Sequence, residues 1–383
     1  MNQKLHIPCL WMRGGTSKGL FFLENDLPAD PQARDRLLLK AMGSPDARQI
    51  DGLGGGTSVT SKAAVIGVSR RPDADVDYTF AQVSVDKPLV SYMGNCGNIL
   101  SAVGPFAIER GLVKQTEPVT RVRIHNVNTG KLIEAEVAVE NGSVKYEGDY
   151  AIAGVKGTAS PVKLKFLDPS GSVFKRLLPT GRPVEWLPVH GLGKVRVSVV
   201  DAANPLVFVM ADEIGLKGTE SPAALEQDKE ILKKLEAVRG AAAVKLGLTG
   251  DPLSAAWDCP GIPKLAVIAP AMDYETAGGE RILGAQVDLL VRMMSMQKPH
   301  PSIAMTGAMC TAAASVVEGS LVWQAAKTGN EENRGFKKVL IGHGAGIMEA
   351  GVDYEGKGAA VRILDTVGFR TANLLMEGNV YCI

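Results

Sequence analysis

Cys96 sits in the run Y-M-G-N-C-G-N-I-L (92–100), with Asn95 and Gly97 on either side and Asn98 beyond. Small, polar flanks leave a thiol open to approach, and the apolar residues that follow read as a helix whose first amides have no intrahelical acceptor. The N–H groups at Gly97 and Asn98 then suit a carboxylate, and the same field favours a thiolate. A small cysteine packed in a tight turn is the plainer reading, because free cysteine is among the most buried residue types. The glycine and asparagine flanks weigh against it. A second stretch, D-G-L-G-G-G-T-S-V-T-S-K-A-A-V-I (51–66), sets three consecutive glycines and a row of hydroxyls ending in Ser61 before Lys62. The G-x-x-x-x-G-K-[ST] spacing is absent and no helix follows, so this is not a phosphate-binding loop. A lysine at the head of an apolar run is open to desolvation, which lowers its pKa and makes it a usable base. A surface lysine at a strand edge would look the same. A third stretch, W-M-R-G-G-T-S-K-G (11–19), offers the Arg13 guanidinium, exposed amides and the hydroxyls of Thr16 and Ser17, a set suited to clamping a carboxylate. A Gly-Gly hairpin turn explains those glycines equally well.

Further along, Asn204-Pro205 directly follows a strand-like run, and Thr306-Gly307 opens an apolar helix that carries Cys310. His300 is held between two prolines, although a lone histidine is more often structural than catalytic. The five histidines are dispersed, with no H-x-x-x-H pair, so no metal site is expected. G-H-G-A-G (342–346) is not the G-x-G-x-x-G of a dinucleotide fold, and no cofactor is expected.

The rest of the chain must position these groups. Its 383 residues suit two domains of about 190 residues each. A net charge of +1 without long Lys/Arg runs argues against nucleic acid as a partner. No apolar window approaches bilayer length, and the N-terminus lacks the apolar core of a signal peptide, so no membrane association is expected. Five scattered cysteines read as free thiols in a reducing cytoplasm. Strand-like runs occur at 76–85, 120–127, 133–139, 195–201 and 264–270, separated by turns such as Asn128-Thr129-Gly130. Helical texture appears at 32–42, 97–110 (with Gly111 as its C′ cap), 222–246, 283–296 and 306–318. Several strands followed by one apolar helix, twice over, predict an α+β chain of two pseudo-symmetric domains. Each would be a curved sheet around a buried central helix. The Pro/Gly-rich stretch 177–188 is the expected linker, dividing the chain into 1–187 and 188–383.

R-G-G-T-S-K-G (13–19), G-S-P-D-A-R-Q-I-D-G (43–52), V-T-S-K (59–62) and G-N-C-G-N (94–98) resemble the 2-methylaconitate isomerase (PrpF-type) family. So do P-D-A-D-V-D-Y-T-F-A-Q-V (72–83), G-P-F-A-I-E-R-G-L-V (104–113), D-A-A-N-P-L-V-F-V (201–209), T-G-A-M-C-T (306–311) and the G-H-G-A-G segment, so the likeness spans the chain. It implies a diaminopimelate-epimerase-like fold with the active site between its two domains, and a cofactor-independent shift of a C=C bond in a small unsaturated di- or tricarboxylate. The Y-x-G-N-C-G-N motif and V-D-L-L-V-R-M-M-S-M-Q (287–297) are most similar to the 3-methylitaconate Δ-isomerase branch. The implied reaction is then 3-methylitaconate to 2,3-dimethylmaleate, with 4-oxalomesaconate and 2-methylaconitate as alternative substrates. Lys62 and Cys96 become the proton-handling pair, in either order of base and acid. Arg13, Thr16, Ser17, Ser61, Asn95, Gly97, Asn98, Asn204, Thr306 and Gly307 become candidate substrate contacts, and Cys310 and His300 possible ones. The epimerases of this fold use one cysteine from each domain. Here Ala304-Met305 precede Thr306-Gly307, a departure that counts against two-thiol epimerase chemistry. A non-catalytic carboxylate binder and a nucleotide-using enzyme are the remaining alternatives. A homodimer or tetramer is expected on general grounds.

Overall fold

The computed structural model describes residues 5–93, 95–326 and 334–382, which form two compact units. The first takes residues up to Lys165 together with Phe369 onward; the second runs from Phe166 to Gly368. The division differs from the one expected at 187/188. The Pro/Gly-rich stretch is a run of turns inside the second unit, leading into the strand Glu185–Val189. The chain's last residues return to the first unit, where they pair antiparallel with the N-terminal strand from Leu5↔Cys382 to Gly14↔Ala372. Pro and Gly mark turns, and a turn is a domain boundary only where few contacts cross it.

In the first unit, β1 (Leu5–Gly14) and β2 (Ser17–Leu23) form a hairpin closed by Gly15 and Thr16. Helix α1 (Pro31–Met42) follows, capped by the Asp30 carboxylate on the Ala33 amide and ended by Gly43 at φ 75°. Next come β3 (Lys62–Val68) and β4 (Val76–Val83), then two short helices, α2 (Gly97–Leu100) and α3 (Val103–Glu109). β5 (Val119–Asn126) and β6 (Lys131–Glu140) complete the unit's main strands. Strand Pro161–Leu167 pairs with both β6 and the C-terminal strand, so the eight strands close on themselves around α2 and α3. β5 alternates exposed and buried residues, the period-two pattern of a sheet with one face inward, and β4 alternates half-buried and buried ones from Val76 to Phe80.

The expected helix over 97–110 is interrupted at Ser101-Ala102. Pro105 has no N–H for the Ser101 carbonyl, and the Ser101 hydroxyl instead donates to the Asn98 carbonyl at 2.7 Å. Its far end is as expected: Gly111 takes φ 65°, and the Leu112 amide reaches back to Ala107 O at 2.8 Å.

In the second unit the strands Gly193–Ala202, Asn204–Met210, Lys264–Pro270, Leu289–Ser295, Arg334–His343 and Gly346–Glu355 pair in succession. Their pairing runs antiparallel, parallel, antiparallel, parallel, antiparallel. β1 to β6 show the same succession, which is the internal repeat expected from the sequence. The helical texture over 222–246 is two helices, α4 (Pro222–Gln227) and α5 (Lys229–Lys245), because Asp228 stops the first and its carboxylate caps the second. The segment expected as a helix over 283–296 is a short turn and then the strand Leu289–Ser295. That strand is central, paired on both edges and buried on both faces, so its apolar run carries no alternation to separate strand from helix. Helix α6 (Met305–Ala314) is buried along its entire length in this unit's core. Among the described residues no helix is long and apolar enough to cross a membrane, and no group of three His, Cys, Asp or Glu side chains is placed to hold a metal.

Candidate active site

Lys62 is the first residue of β3 and pairs with Gln82 of β4. Its side chain points inward, only 7 % exposed, with Nζ 5.1 Å from the Phe80 ring centroid and hydrogen-bonded to Gln82 Oε1. Gln82 is locked in that orientation, because its Nε2 donates to the carbonyls of Ser61 at 2.9 Å and Ser58 at 3.2 Å. Lys62 is therefore held by a neutral amide oxygen. Burial, the largest effect, lowers its pKa from 10.5, while the facing Cys96 side chain pulls it the other way. The strand-edge reading of this lysine does not hold.

The glycine-rich loop before Lys62 is built around Gln49. Gln49 Nε2 donates to Ser61 Oγ at 2.7 Å and to Ser44 Oγ at 2.9 Å, and its Oε1 accepts from the Gly56 amide at 2.9 Å. A Cβ on Gly54 would lie 2.2 Å from Gln49 Cδ, so that glycine serves close packing. Ser61 is fully buried and its hydroxyl is committed to this network.

Cys96 precedes α2 as its N-cap residue and is partly buried. Because α2 is a single turn, the donors it offers are the first-turn amides themselves rather than the field of a long helix. Asn95, Gly97 and Asn98 are buried around it. Asn98 is a strap: its Nδ2 donates to Thr16 Oγ1 at 2.9 Å, and its Oδ1 accepts from Arg370 Nε at 3.1 Å. Arg370 is itself buried, which pulls its pKa down to about 10. The hairpin needs its glycines for the same docking. A Cβ on Gly14 would meet the Asn98 carbonyl oxygen at 2.3 Å, and one on Gly15, at φ 51°, would meet Asn98 Oδ1 at 2.3 Å.

Arg13 takes a structural place. One guanidinium nitrogen, Nη1, donates to the carbonyls of Gly15 at 3.0 Å and Thr371 at 2.9 Å and to Thr371 Oγ1 at 2.9 Å, tying the hairpin to the C-terminal strand. Ser17 differs: it is buried and its hydroxyl has no partner. The first unit thus brings together Lys62, Cys96, Asn95, Gly97, Asn98, Ser61 and the Gly14–Ser17 turn around one helix start.

In the second unit, Asn204 is buried with neither amide atom hydrogen-bonded. An amide so placed ordinarily has partners, and this one fits an incoming polar ligand or water. Thr306 and Gly307 lie in the first turn of α6, where a Cβ on Gly307 would meet Met293 Sδ at 2.6 Å; that glycine serves packing. Cys310 is a core residue. Its thiol donates to the Val200 carbonyl at 3.4 Å, and burial pushes its pKa far up, so it holds its proton. His300 Nδ1 accepts from the Ser302 amide at 3.1 Å, the structural reading of that residue.

Two residues at the site were not singled out from the sequence. Gln82 lies in a strand whose alternation was visible, but the need for a neutral partner to Lys62 was not. Tyr78, two pairs further along the same face of β4, is fully buried with an unpartnered hydroxyl, and burial together with Cys96 raises its pKa well above 10.

Comparison with known proteins places the chain. It is 44% identical over 384 residues to the 3-methylitaconate isomerase of Eubacterium barkeri, covering 100% of this chain and 98% of that one. It is 41% identical over 374 residues to the (4E)-oxalomesaconate Delta-isomerase of Novosphingobium sp. (strain KA1), covering 98% and 97%. Identity to the 2-methyl-aconitate isomerase of Shewanella oneidensis is 37% over 390 residues, again covering 98% and 97%. Among solved structures, a crystal structure of methylitaconate-delta-isomerase matches with a TM-score of 0.80 and 44% identity over 99% of this chain and 96% of that one. A hydroxyproline epimerase from Agrobacterium vitis matches with a TM-score of 0.57 at 13% identity, over 100% and 94%; it shares the fold alone, the epimerase-like fold expected from the sequence. The family model described as PrpF protein matches residues 4–383, and the chain belongs to the PrpF family.

Proposed function

We propose that the protein is an isomerase that moves a C=C bond by one position in a small unsaturated di- or tricarboxylate, with 3-methylitaconate to 2,3-dimethylmaleate as its reaction. The observation that carries this reading is a buried lysine held by an amide oxygen and facing a cysteine. Burial favours the neutral amine, so Lys62 acts as the base. It removes an allylic proton; the C–H electrons delocalise over the double bond into the conjugated carboxylate. Cys96 then gives its S–H proton to the far allylic carbon, and the double bond lies one position along. The pair is left as ammonium and thiolate. Proton transfer from Lys62 to Cys96 restores the starting state, and because the two groups face each other this reset needs no other residue.

The difficult step is the build-up of charge beside a carboxylate. The first-turn amides at Gly97 and Asn98 and the free hydroxyl of Ser17 are donors suited to it, and one preorganised donor of this kind is worth about 3 kcal/mol. The 4-oxalomesaconate and 2-methylaconitate reactions use the same proton transfers on a different substituent. A two-thiol epimerase is disfavoured by the core position of Cys310.

Proton NMR of the purified protein in D₂O, with methylitaconate, 2-methylaconitate and 4-oxalomesaconate supplied separately, tests the proposal. Double-bond migration with deuterium entering the allylic position of one of them is the expected result and names the substrate. Exchange without migration points to an epimerase-like half-reaction. Silence from all three leaves a carboxylate binder, for which Lys62→Ala would weaken affinity only.

A further inference from the structure

One edge of β4 serves two partner strands that run in opposite directions. From Val76 to Tyr78 it pairs parallel with Ile124, His125 and Asn126 of β5, and the Val127 N–H donates to the Tyr78 carbonyl at 2.9 Å. At Gln82 and Val83 it pairs antiparallel with the short strand Val90–Ser91. Phe80 lies between these two stretches, and its N–H and C=O point to the same edge as those of Tyr78 and Gln82. The Asn128 amide fills the gap. Its Oδ1 accepts from the Phe80 N–H at 2.8 Å, and its Nδ2 donates to the Phe80 carbonyl at 2.9 Å, so one side chain stands in for a strand residue. Nδ2 also donates at 2.6 Å to the carbonyl of Tyr92, which follows Val90–Ser91 and leads toward Cys96. The turn after β5 does not need this amide, because Asn126 Oδ1 accepts from the Thr129 N–H at 3.2 Å and supplies the local turn bond. Phe80 and Gln82, for their part, carry the ring and the amide oxygen that Lys62 lies against. Asn128 therefore ties the wall that holds the lysine to the stretch of chain that leads to the thiol.

We propose that Asn128 is a positioning residue: it fixes where the chain leaves the sheet at Tyr92, and so where Cys96 stands relative to Lys62. The proposal rests on those two side chains being the proton-handling pair. Asn128→Asp tests it, since the variant keeps the shape and the acceptor for the Phe80 N–H but loses both donors. Lys62 keeps its own supports, Gln82 and through it the carbonyls of Ser58 and Ser61. In D₂O the base still removes the allylic proton, exchanges it with solvent and returns a deuteron to the same carbon, while the displaced thiol delivers poorly to the far one. Double-bond migration is expected to fall about 10²-fold, with exchange at the abstracted position largely kept. A loss of folded protein alone would lower the two in step.

The cysteines give a second readout that needs no substrate. Brief iodoacetamide labelling, followed peptide by peptide by mass spectrometry, is expected to run roughly tenfold faster at Cys96, the effect of the lost hydrogen bonds on local opening. Cys9, Cys259 and Cys310 are buried and should stay unlabelled. Asn128→Ala, measured in the same way, carries the test if the aspartate protein folds poorly. The proposal is overturned if migration and exchange fall together, if Cys96 labels at the wild-type rate, or if it gains reactivity only along with the buried thiols. Faster labelling confined to Cys96, in a protein that isomerises none of the three acids, supports the tie while removing the assigned reaction.

Discussion

Gln82 offers a two-sided test of the base. Its amide oxygen accepts from Lys62, and its amide nitrogen is pinned by the carbonyls of Ser58 and Ser61. Gln82→Glu puts a carboxylate against the ammonium with almost no change of shape. At about 4 Å and an effective dielectric of about 20 the attraction is ~4 kcal/mol, or roughly three pKa units on Lys62. The neutral amine then becomes scarce at neutral pH. We expect kcat/KM to fall by about 10²- to 10³-fold there, with much of it recovered as pH rises, because the acidic limb of the rate profile moves upward. Gln82→Leu does the reverse. It removes an acceptor from the charged form, worth about 1.5–3 kcal/mol, so the limb moves to lower pH by roughly one to two units. The assay is kcat/KM against pH for the wild type and both variants, with circular dichroism to confirm folding. If both limbs move the same way, or neither moves while activity falls, Lys62 does not work as a neutral base.

Lys62→Met should abolish turnover yet raise stability at neutral pH, since folding no longer has to strip a proton from a lysine that water keeps charged. The folded pKa of Lys62 lies below its unfolded value near 10.5, so between the two the unfolded chain binds more protons and wild-type stability climbs with pH; the variant lacks that slope, and urea midpoints at several pH values read the difference. Gly15→Ala drives a methyl group into Asn98 Oδ1 at a positive φ; a loss of about 1–3 kcal/mol in chemical denaturation is expected, together with a lower kcat from the displaced helix start. Cys310→Ala should leave kcat within about twofold, its effect confined to a loss of about 1–2 kcal/mol from the core of the second unit. A collapse of kcat in that variant would revive two-thiol chemistry.

How much of this was legible in the sequence depended on whether one residue decided the matter or several did. The α+β plan, the doubled architecture and the Gly111 cap follow from local patterns, and the structure has them. The helix expected over 283–296 failed because Leu289–Ser295 is buried on both faces, and a period can be read only where one face meets water. The expected helix at Cys96 was right in position and wrong in length, since the ladder breaks at Ser101-Ala102, where Pro105 has no N–H to offer the Ser101 carbonyl. At the site, Lys62 and Cys96 were visible because an apolar strand and a Gly/Asn turn are local features. The roles of Arg13 and Asn98 were not. Their partners, Thr371 and Arg370, are distant in sequence, and no spacing rule links them. Arg13 therefore reads as a clamp from its neighbours and serves as a tie.

That exchange of roles bears on the chemistry. Arg370, Arg13 and Lys62 are all drawn out of water in the first unit, and burial lowers the pKa of each. The two arginines are stitched to carbonyl, hydroxyl and amide oxygens and keep their protons, because a guanidinium remains charged even with its pKa near 10. Lysine starts lower and is more easily discharged, so the same burial that leaves Arg370 a cation can leave Lys62 an amine. A glutamate at position 82 would satisfy the ammonium better and, in doing so, hold it charged. The amide oxygen favours the ammonium too, but less than a carboxylate would, so burial can still discharge the lysine. A proton can then be taken up at Lys62, passed to Cys96 across their contact, and taken up again, which is the property a base in a cyclic proton transfer must have.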